Sequence, residues 1–187
     1  SEAMPGAESD AENLAQTTAN TIQIGTYNLE LLGKSRRPFN GQERPFRTWN
    51  HLREIANRIT QQLDLEFVIL QEINTDSRNW GILKGLLSEE GYRFFEGTTS
   101  SRDQFVVLAW DADEVDLFDG SAQELDVRTT IQLPGRCESE GLRKPVAGRF
   151  QAGEFDFWVV GVHLKSRVGS GSCPSQVRRE QSKELVS

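Results

Sequence analysis

Three short apolar runs, each ending in polar side chains, most constrain how this chain can fold. They are "IQIGTYNL", "EFVILQEI" and "FDFWVVGVH". Alternating apolar positions are typical of a half-buried strand, and a short continuous apolar run is typical of a strand covered on both faces. The third run leads directly into "HLKS", and its histidine, His163, is one of only two in the chain. The sequence therefore predicts buried strands with ionisable side chains at their ends.

Helical patterns alternate with these strands in the first half of the chain. One apolar stripe at helical spacing follows Thr48, a candidate N-cap, and comprises Leu52, Ile55, Ala56, Ile59 and Leu63. A second stripe comprises Trp80, Leu83, Leu86 and Leu87 and stops at Gly91. After Gly91 the pattern becomes strands in series with short links, and residues 174–187 predict a last helix. We expect a mixed α and β architecture, with the strands in one sheet and helices on its outer face.

The length of 187 residues is that of one domain. We expect residues 1–21 to form a flexible tail and residues 22–187 a single domain that is incomplete at its C-terminus. No apolar run reaches the length that a bilayer requires, so no membrane span is predicted.

Charge is unevenly distributed along the chain. The net charge is −7, which opposes binding to polyanions, yet residues 34–58 carry seven basic and two acidic side chains. Residues 111–126 carry seven carboxylates and no base. A basic face and an acidic face on one molecule are one interpretation, and an ordinary solvated surface is the other.

The two cysteines, Cys137 and Cys173, both lie in loop-like stretches. A disulfide between them would indicate an extracellular or periplasmic location. Unrelated reduced thiols in a cytoplasmic protein are the alternative, and the residues leave it open.

Polar side chains at the strand ends suggest a reaction site. Asn28, Glu72, and His163 with Lys165 each follow an apolar run, and they would converge if the strands are neighbours pointing the same way. A carboxylate binds magnesium, an amide orients an oxygen, and an imidazole exchanges protons near neutral pH. This set fits phosphoryl transfer. Taken singly, each residue also fits a turn, a loop or a packed position, and we interpret His51 as a surface or packing residue.

Four motifs, "TYNLELLG", "FVILQEI", "LRKPVAGRF" and "GVHLKS", occur in this order. Together they resemble the endonuclease/exonuclease/phosphatase superfamily from about Ile22 onwards. The resemblance implies an α+β fold, the deoxyribonuclease-like four-layered α/β sandwich, of which this chain would supply mainly the first sheet and its outer helices.

The resemblance also implies roles for individual residues. Asn28 would help to order the site, and Glu72 would bind the catalytic divalent metal, Mg²⁺ or else Mn²⁺ or Ca²⁺. His163 would stabilise or protonate the scissile phosphate. Arg143 would lie at the same cleft, and Lys165 would stand beside the motif.

Two further motifs of the superfamily are missing from the sequence: a Gly-Asp-x-Asn stretch and a closing Asp-His pair that activates water. We therefore expect a partner for this chain, either a missing C-terminal half of the domain or a second copy covering the sheet. The expected function is metal-dependent phosphodiester hydrolysis with nucleic acid as substrate. The alternatives are a phosphatase or lipid phosphodiesterase of the same superfamily, or a binding module without turnover.

Overall fold

The computed structural model describes residues 21–33, 36–39, 42–44, 47–98, 104–133, 137–139, 142–164 and 173–186. The predicted tail, residues 1–21, lies outside these ranges apart from Thr21. Lys165, which was predicted to stand beside the site, lies outside them as well.

Strands and three helices alternate along the described residues. The strands are β1 (Ile24–Leu32), β2 (Arg36–Phe39), β3 (Gln42–Arg44), β4 (Phe67–Ile73), β5 (Tyr92–Glu96), β6 (Phe105–Asp111), β7 (Asp116–Leu117), β8 (Gln123–Glu124), β9 (Ile131–Leu133), β10 (Cys137–Ser139), β11 (Val146–Ala152) and β12 (Phe155–Gly161). The helices are α1 (Trp49–Asn57), α2 (Arg78–Glu89) and α3 (Cys173–Glu184), and α1 continues into a π-helical turn (Arg58–Gln62).

The predicted helix boundaries are largely confirmed. The hydroxyl of Thr48 accepts a hydrogen bond from the backbone N–H of His51 at the start of α1, and Gly91 follows α2 with a positive φ of 89°. Leu63, predicted to face the core, is instead 42% exposed. It follows the π turn, in which its N–H bonds to the carbonyl of Arg58, five residues back, so the α-helical stripe is not continued there.

The first sheet has the strand order β1–β4–β6–β5. β1 and β4 are parallel neighbours, whereas β6 runs antiparallel to both β4 and β5. One face of this sheet packs against α1 and α2, in a core that includes Val68 and Leu70 from β4 with Leu52 and Leu83 from the helices. This α-on-β layer is the part of the fold that the first half of the sequence predicted.

A second sheet is built from the later strands. β11 pairs with β12 on one side and with β7 and β8 on the other, all antiparallel. The expectation that the strands form one sheet is therefore wrong, because the β11–β12 hairpin pairs with other late strands and stacks on the first sheet. The α+β sandwich class itself is confirmed.

The two sheets bury each other's apolar faces. Phe67 of β4 and Leu108 of β6 pack against Val146 and Phe150 of β11, and the rings of Phe67 and Phe150 meet edge to face at 4.7 Å. The expected partner is therefore not needed to cover the inner face of the first sheet, because the second sheet of this chain covers it.

Apolar side chains are exposed on β12 instead. Trp158 is 60% exposed and Val160 45%, and they alternate with the buried Val159, which places them on the outer face of the second sheet. Phe155, at the start of the strand, is 56% exposed. Within the described part of the chain, β11 is the only strand paired with β12.

The last helix packs beside this sandwich. Val177 of α3 is buried against Ile131 and Leu142, and Arg128 donates to the carboxylate of Glu184 at 2.9 Å. Cys173, the first residue of α3, is disulfide-bonded. The other cysteine in the sequence, Cys137, lies in β10, where the structure describes the backbone only.

Candidate functional site

The parallel pairing of β1 and β4 brings the first two predicted site residues together. Asn28 is opposite Gln71 in the register, so it lies next to Glu72. The Asn28 amide donates to Oε1 of Glu72 at 3.2 Å, and its carbonyl oxygen accepts from the backbone N–H of Glu30 at 2.8 Å. Both ends of the amide are held, so Asn28 fixes the orientation of the carboxylate.

Glu72 lies at a break in the β4 ladder. The register shifts between Gln71 and Ile73 in the pairing with β6, and Glu72 has a φ of 61°, in the left-handed region that non-glycine residues rarely adopt. Such a conformation costs of the order of 1–3 kcal/mol and is found often at functional sites. The irregularity turns the carboxylate out of the regular alternation of the strand.

His163 reaches the same carboxylate from the second sheet. Its Nε2 lies 3.4 Å from Oε1 of Glu72. The three strand ends therefore converge as predicted, but not for the predicted reason, because β12 is not a neighbour of β1 or β4. The convergence depends on how the two sheets stack.

Two contacts fix that stacking near the site. The Gln71 side chain donates to the carbonyl of Val162 at 2.9 Å, which ties β4 to the residue before His163. Gly161 lies so close to the first sheet that an added Cβ would stand 3.0–3.1 Å from Val106, Ile69 and Leu108. This explains the single glycine in the apolar run of β12.

The imidazole of His163 is held in an unusual environment. Burial and, to a smaller extent, the positive charge of Arg143 together lower the pKa of His163 to about 4, although the Glu72 carboxylate acts in the opposite direction. Its Nδ1 is buried and has no hydrogen-bond partner among the described residues. A buried polar atom without a partner is costly, so a further group is expected to contact the ring.

Arg143 is close enough to His163 for its positive charge to contribute to the lowered pKa of the imidazole. Its Nε donates to the carbonyl of Gln104 at 3.0 Å, in the segment before β6. His51 is exposed on α1, in agreement with its interpretation as a surface residue.

Gln71 is a site residue that the sequence reasoning missed. The signal was available, because a glutamine inside the buried run "FVILQEI" needs a hydrogen-bond partner. What the sequence could not indicate is that the partner is a backbone carbonyl on the other sheet.

The described residues also resemble proteins of known structure. D. rerio TDP2 complexed with a single-strand DNA product matches with a TM-score of 0.56, 16% identity and 88% of this chain covered. D. rerio TDP2 humanized by 14 mutations matches with a TM-score of 0.52, 16% identity and 88% of this chain covered. The human Nocturnin catalytic domain with bound sulfate matches with a TM-score of 0.50, 15% identity and 75% of this chain covered. This chain has the endonuclease/exonuclease/phosphatase fold. The superfamily resemblance read from the four motifs is thereby confirmed at the level of the fold.

The chain spans only part of that fold in these structures. The matched region amounts to 53–54% of the length of each of the three chains. The sequence matches no family model and no curated protein.

The site residues fit a hard divalent cation of the kind expected in an endonuclease/exonuclease/phosphatase fold. Magnesium is commonly held by one or two carboxylates, with waters and substrate oxygens completing the shell. Glu72 supplies one carboxylate, 21% exposed and already oriented by Asn28. No cluster of three or more metal-ligating side chains occurs among the described residues. The described residues therefore supply one oriented carboxylate to such an ion.

Proposed function

We propose that this chain is part of a divalent-metal-dependent phosphodiester hydrolase acting on DNA or RNA. The observation that carries the proposal is the meeting of Asn28, Glu72 and His163, with Oε1 of Glu72 at 3.2 Å from the amide and 3.4 Å from the imidazole. An oriented carboxylate beside a neutral imidazole and a nearby guanidinium suits a phosphate and its metal.

Each residue has a distinct task in this proposal. Mg²⁺ bound at Glu72 would polarise a phosphoryl oxygen. Asn28 holds the carboxylate in place, and Arg143 adds positive charge to the cleft. His163 is neutral at pH 7 because of its low pKa, so it suits hydrogen bonding to a phosphate oxygen better than delivery of a proton. An anionic phosphate beside the ring would raise that pKa. We assign Lys165 to the same cleft from the motif alone.

The partner of the chain belongs to the proposal as well. Nucleic acid is the proposed substrate, and the TDP2 neighbour is a structure with single-strand DNA product. We further propose that more of the same domain, beyond the residues of this sequence, or a second copy covers the exposed residues of β12. The described helices include none that is long and apolar enough to cross a membrane.

We also propose that the protein works in an oxidising compartment, extracellular or periplasmic. The support is the disulfide-bonded state of Cys173. Reaction of both cysteines with a thiol reagent in the native, unreduced protein would remove this proposal.

The test of the proposed function is plasmid nicking. The product of the complete reading frame is assayed with Mg²⁺ and with chelator, beside this chain alone. We expect metal-dependent nicking by the complete product and little or none by this chain, because the water-activating motifs of the superfamily are absent from it. Conversion of supercoiled to nicked plasmid is measured on a gel.

Two results would replace the proposal. Failure of both proteins to nick DNA or cleave RNA, together with release of phosphate from monoesters or cleavage of lipid headgroups, would assign a phosphatase or lipid phosphodiesterase. Failure on all of these substrates, with nucleic-acid binding intact, would assign a binding module.

A further inference from the structure

We propose that Trp49 and Arg53 form a stacking platform for a base of single-stranded nucleic acid beside the site. The inference rests on the proposed function, because it names the form of the substrate. It concerns residues of α1 that take no part in the contacts around Glu72.

Trp49 is not a core residue, although it is one of the largest apolar side chains. It is the first residue of α1 and is 49% exposed. The core face of the same helix is formed by Leu52 and Ala56, which are buried. An exposed tryptophan at a helix start is available for contact with a ligand.

Arg53 covers the ring of Trp49 from the next helical turn. Its guanidinium carbon lies 4.6 Å from the ring centroid, a cation–π arrangement between residues at i and i+4. Arg53 makes no ion pair with any other described residue. The first turn of α1 contains no acidic residue. The pair therefore offers an aromatic plane together with a positive charge that forms no salt bridge with the part of the chain that the structure describes.

The platform is fixed near the candidate site by Arg47. The Arg47 side chain donates to the carbonyl of Leu29, the residue after Asn28, and the carbonyl of Arg47 accepts from the Asn79 side chain at 3.2 Å. Trp49 follows Arg47 by two residues, so their Cα atoms are at most about 7 Å apart. A nucleic-acid strand held at Glu72 would have the platform within reach of its next nucleotides.

The chemistry favours a single strand over a duplex. Stacking requires a base whose face is open, and paired bases present only their edges. An aromatic plane with a neighbouring arginine offers stacking to the base and charge to the phosphate, which are the two elements that single-strand sites combine.

Trp158 offers a matched control within the same chain. It is also exposed, at 60%, but lies on the outer face of the second sheet. The guanidinium opposite it in the register, that of Arg149, stacks on Phe118 and is paired with Asp156. Trp158 is thus an exposed tryptophan whose neighbouring cation is already engaged.

The experiment measures binding without turnover. A fluorescently labelled oligothymidylate and an abasic strand of the same length and charge are titrated with the protein in the presence of chelator, and anisotropy is read. The wild type should bind the oligothymidylate about tenfold more tightly than the abasic strand. Trp49→Ala should lose this preference, and Trp49→Phe should retain part of it. Arg53→Gln should weaken binding more than Arg58→Gln, which removes the same charge, and Trp158→Ala should keep the preference for the oligothymidylate over the abasic strand.

Equal binding of the two strands by the wild type would overturn the inference, as would an unchanged preference in Trp49→Ala. A duplex of the same sequence that binds as tightly as the single strand would also overturn it. Circular dichroism of each variant separates lost folding from lost stacking, and Trp49→Phe keeps the test decisive if the alanine variant unfolds. A base preference without metal-dependent nicking would leave the platform in place and remove the proposed hydrolase.

Discussion

At the scale of single residues, Glu72 is the residue that both Asn28 and His163 contact. It adopts a positive φ, accepts from Asn28 and stands beside His163. We predict that Glu72→Gln in the complete product lowers metal-dependent cleavage at least about 10³-fold, because an amide keeps the shape but is a much weaker ligand for magnesium than a carboxylate. Initial rates of nicking at saturating Mg²⁺ are the measurement.

The matched control for this substitution is Glu89→Gln on α2. Glu89 is exposed and is the last residue of α2. Its replacement by glutamine removes the same charge as Glu72→Gln, and the substitution should leave the rate unchanged. Cleavage by Glu72→Gln at the wild-type rate would show that Glu72 does not hold the metal.

Tyr92 allows a test of the fold that is independent of the site. Its hydroxyl donates a hydrogen bond to the carbonyl of Leu65. Burial raises the pKa of Tyr92 well above the usual 10.0, and nearby carboxylates, Asp111 most of all, raise it further. Above about pH 10 the unfolded chain loses this proton while the folded chain keeps it, so stability falls as the pH rises. Tyr92→Phe should be about 1 kcal/mol less stable at pH 8 and should lack that part of the alkaline loss.

Urea unfolding of the wild type and Tyr92→Phe, measured from pH 8 to pH 11, checks this expectation. Groups that titrate in both proteins cancel in the comparison. Parallel loss of stability in the two proteins above pH 10 would mean that the Tyr92 phenol is not held protonated by the fold.

At the scale of elements, the approach of β12 to the first sheet positions the site. We predict that Gly161→Ala lowers the free energy of unfolding by about 1–3 kcal/mol, because the new methyl group would press on Val106, Ile69 and Leu108 at 3.0–3.1 Å. It should also weaken any activity that depends on His163, two residues further along. Chemical denaturation followed by tryptophan fluorescence gives the stability.

Gly85→Ala is the control for this element. Gly85 lies inside α2, and a Cβ there would meet no atom within 4 Å. Alanine should therefore stabilise the helix by about 0.5–1 kcal/mol. If both substitutions were stabilising, the close contact of β12 with the first sheet would be disproved.

The elements also show how far the sequence alone leads. Apolar periodicity predicted β1, β4, β12 and the helices, because burial leaves its pattern in each segment separately. It did not predict the second sheet, because a buried run such as "FDFWVVG" fits either sheet, and its partner is chosen by contacts between distant segments. For the same reason Asn28, Glu72 and His163 were foreseeable as strand ends, whereas the contact of Gln71 with Val162 was not.

At the scale of the whole molecule, negative charge and the site occupy different ends of the first sheet. The carboxylates that act on Tyr92 include Glu66, which immediately precedes β4, whereas Glu72 lies near the end of that strand. Asp111, opposite Tyr92 in the register, belongs to the same acidic end. The net charge of −7 is therefore compatible with a polyanionic substrate, because some of the carboxylates responsible for that charge lie a strand length away from Glu72.

The outer face of β12 is where the molecule is expected to be incomplete. We predict that this chain alone binds an apolar fluorescent dye or self-associates, because Trp158 and Val160 leave apolar surface in water on a strand that pairs on one side only among the described residues. Replacing Trp158 and Val160 by threonine should reduce both effects while preserving strand propensity. Dye fluorescence and sedimentation velocity measure them.

Two control substitutions test whether dye binding and association depend on β12 in particular or on any exposed apolar side chain. Leu63 and Val186 are also exposed, and their replacement by threonine should change neither dye binding nor association. In the complete product the emission of Trp158 should move to shorter wavelength and dye binding should disappear, because the added residues would cover β12. A chain that is monomeric and binds no dye would show that the face of β12 needs no partner, and the proposed cover would then be wrong.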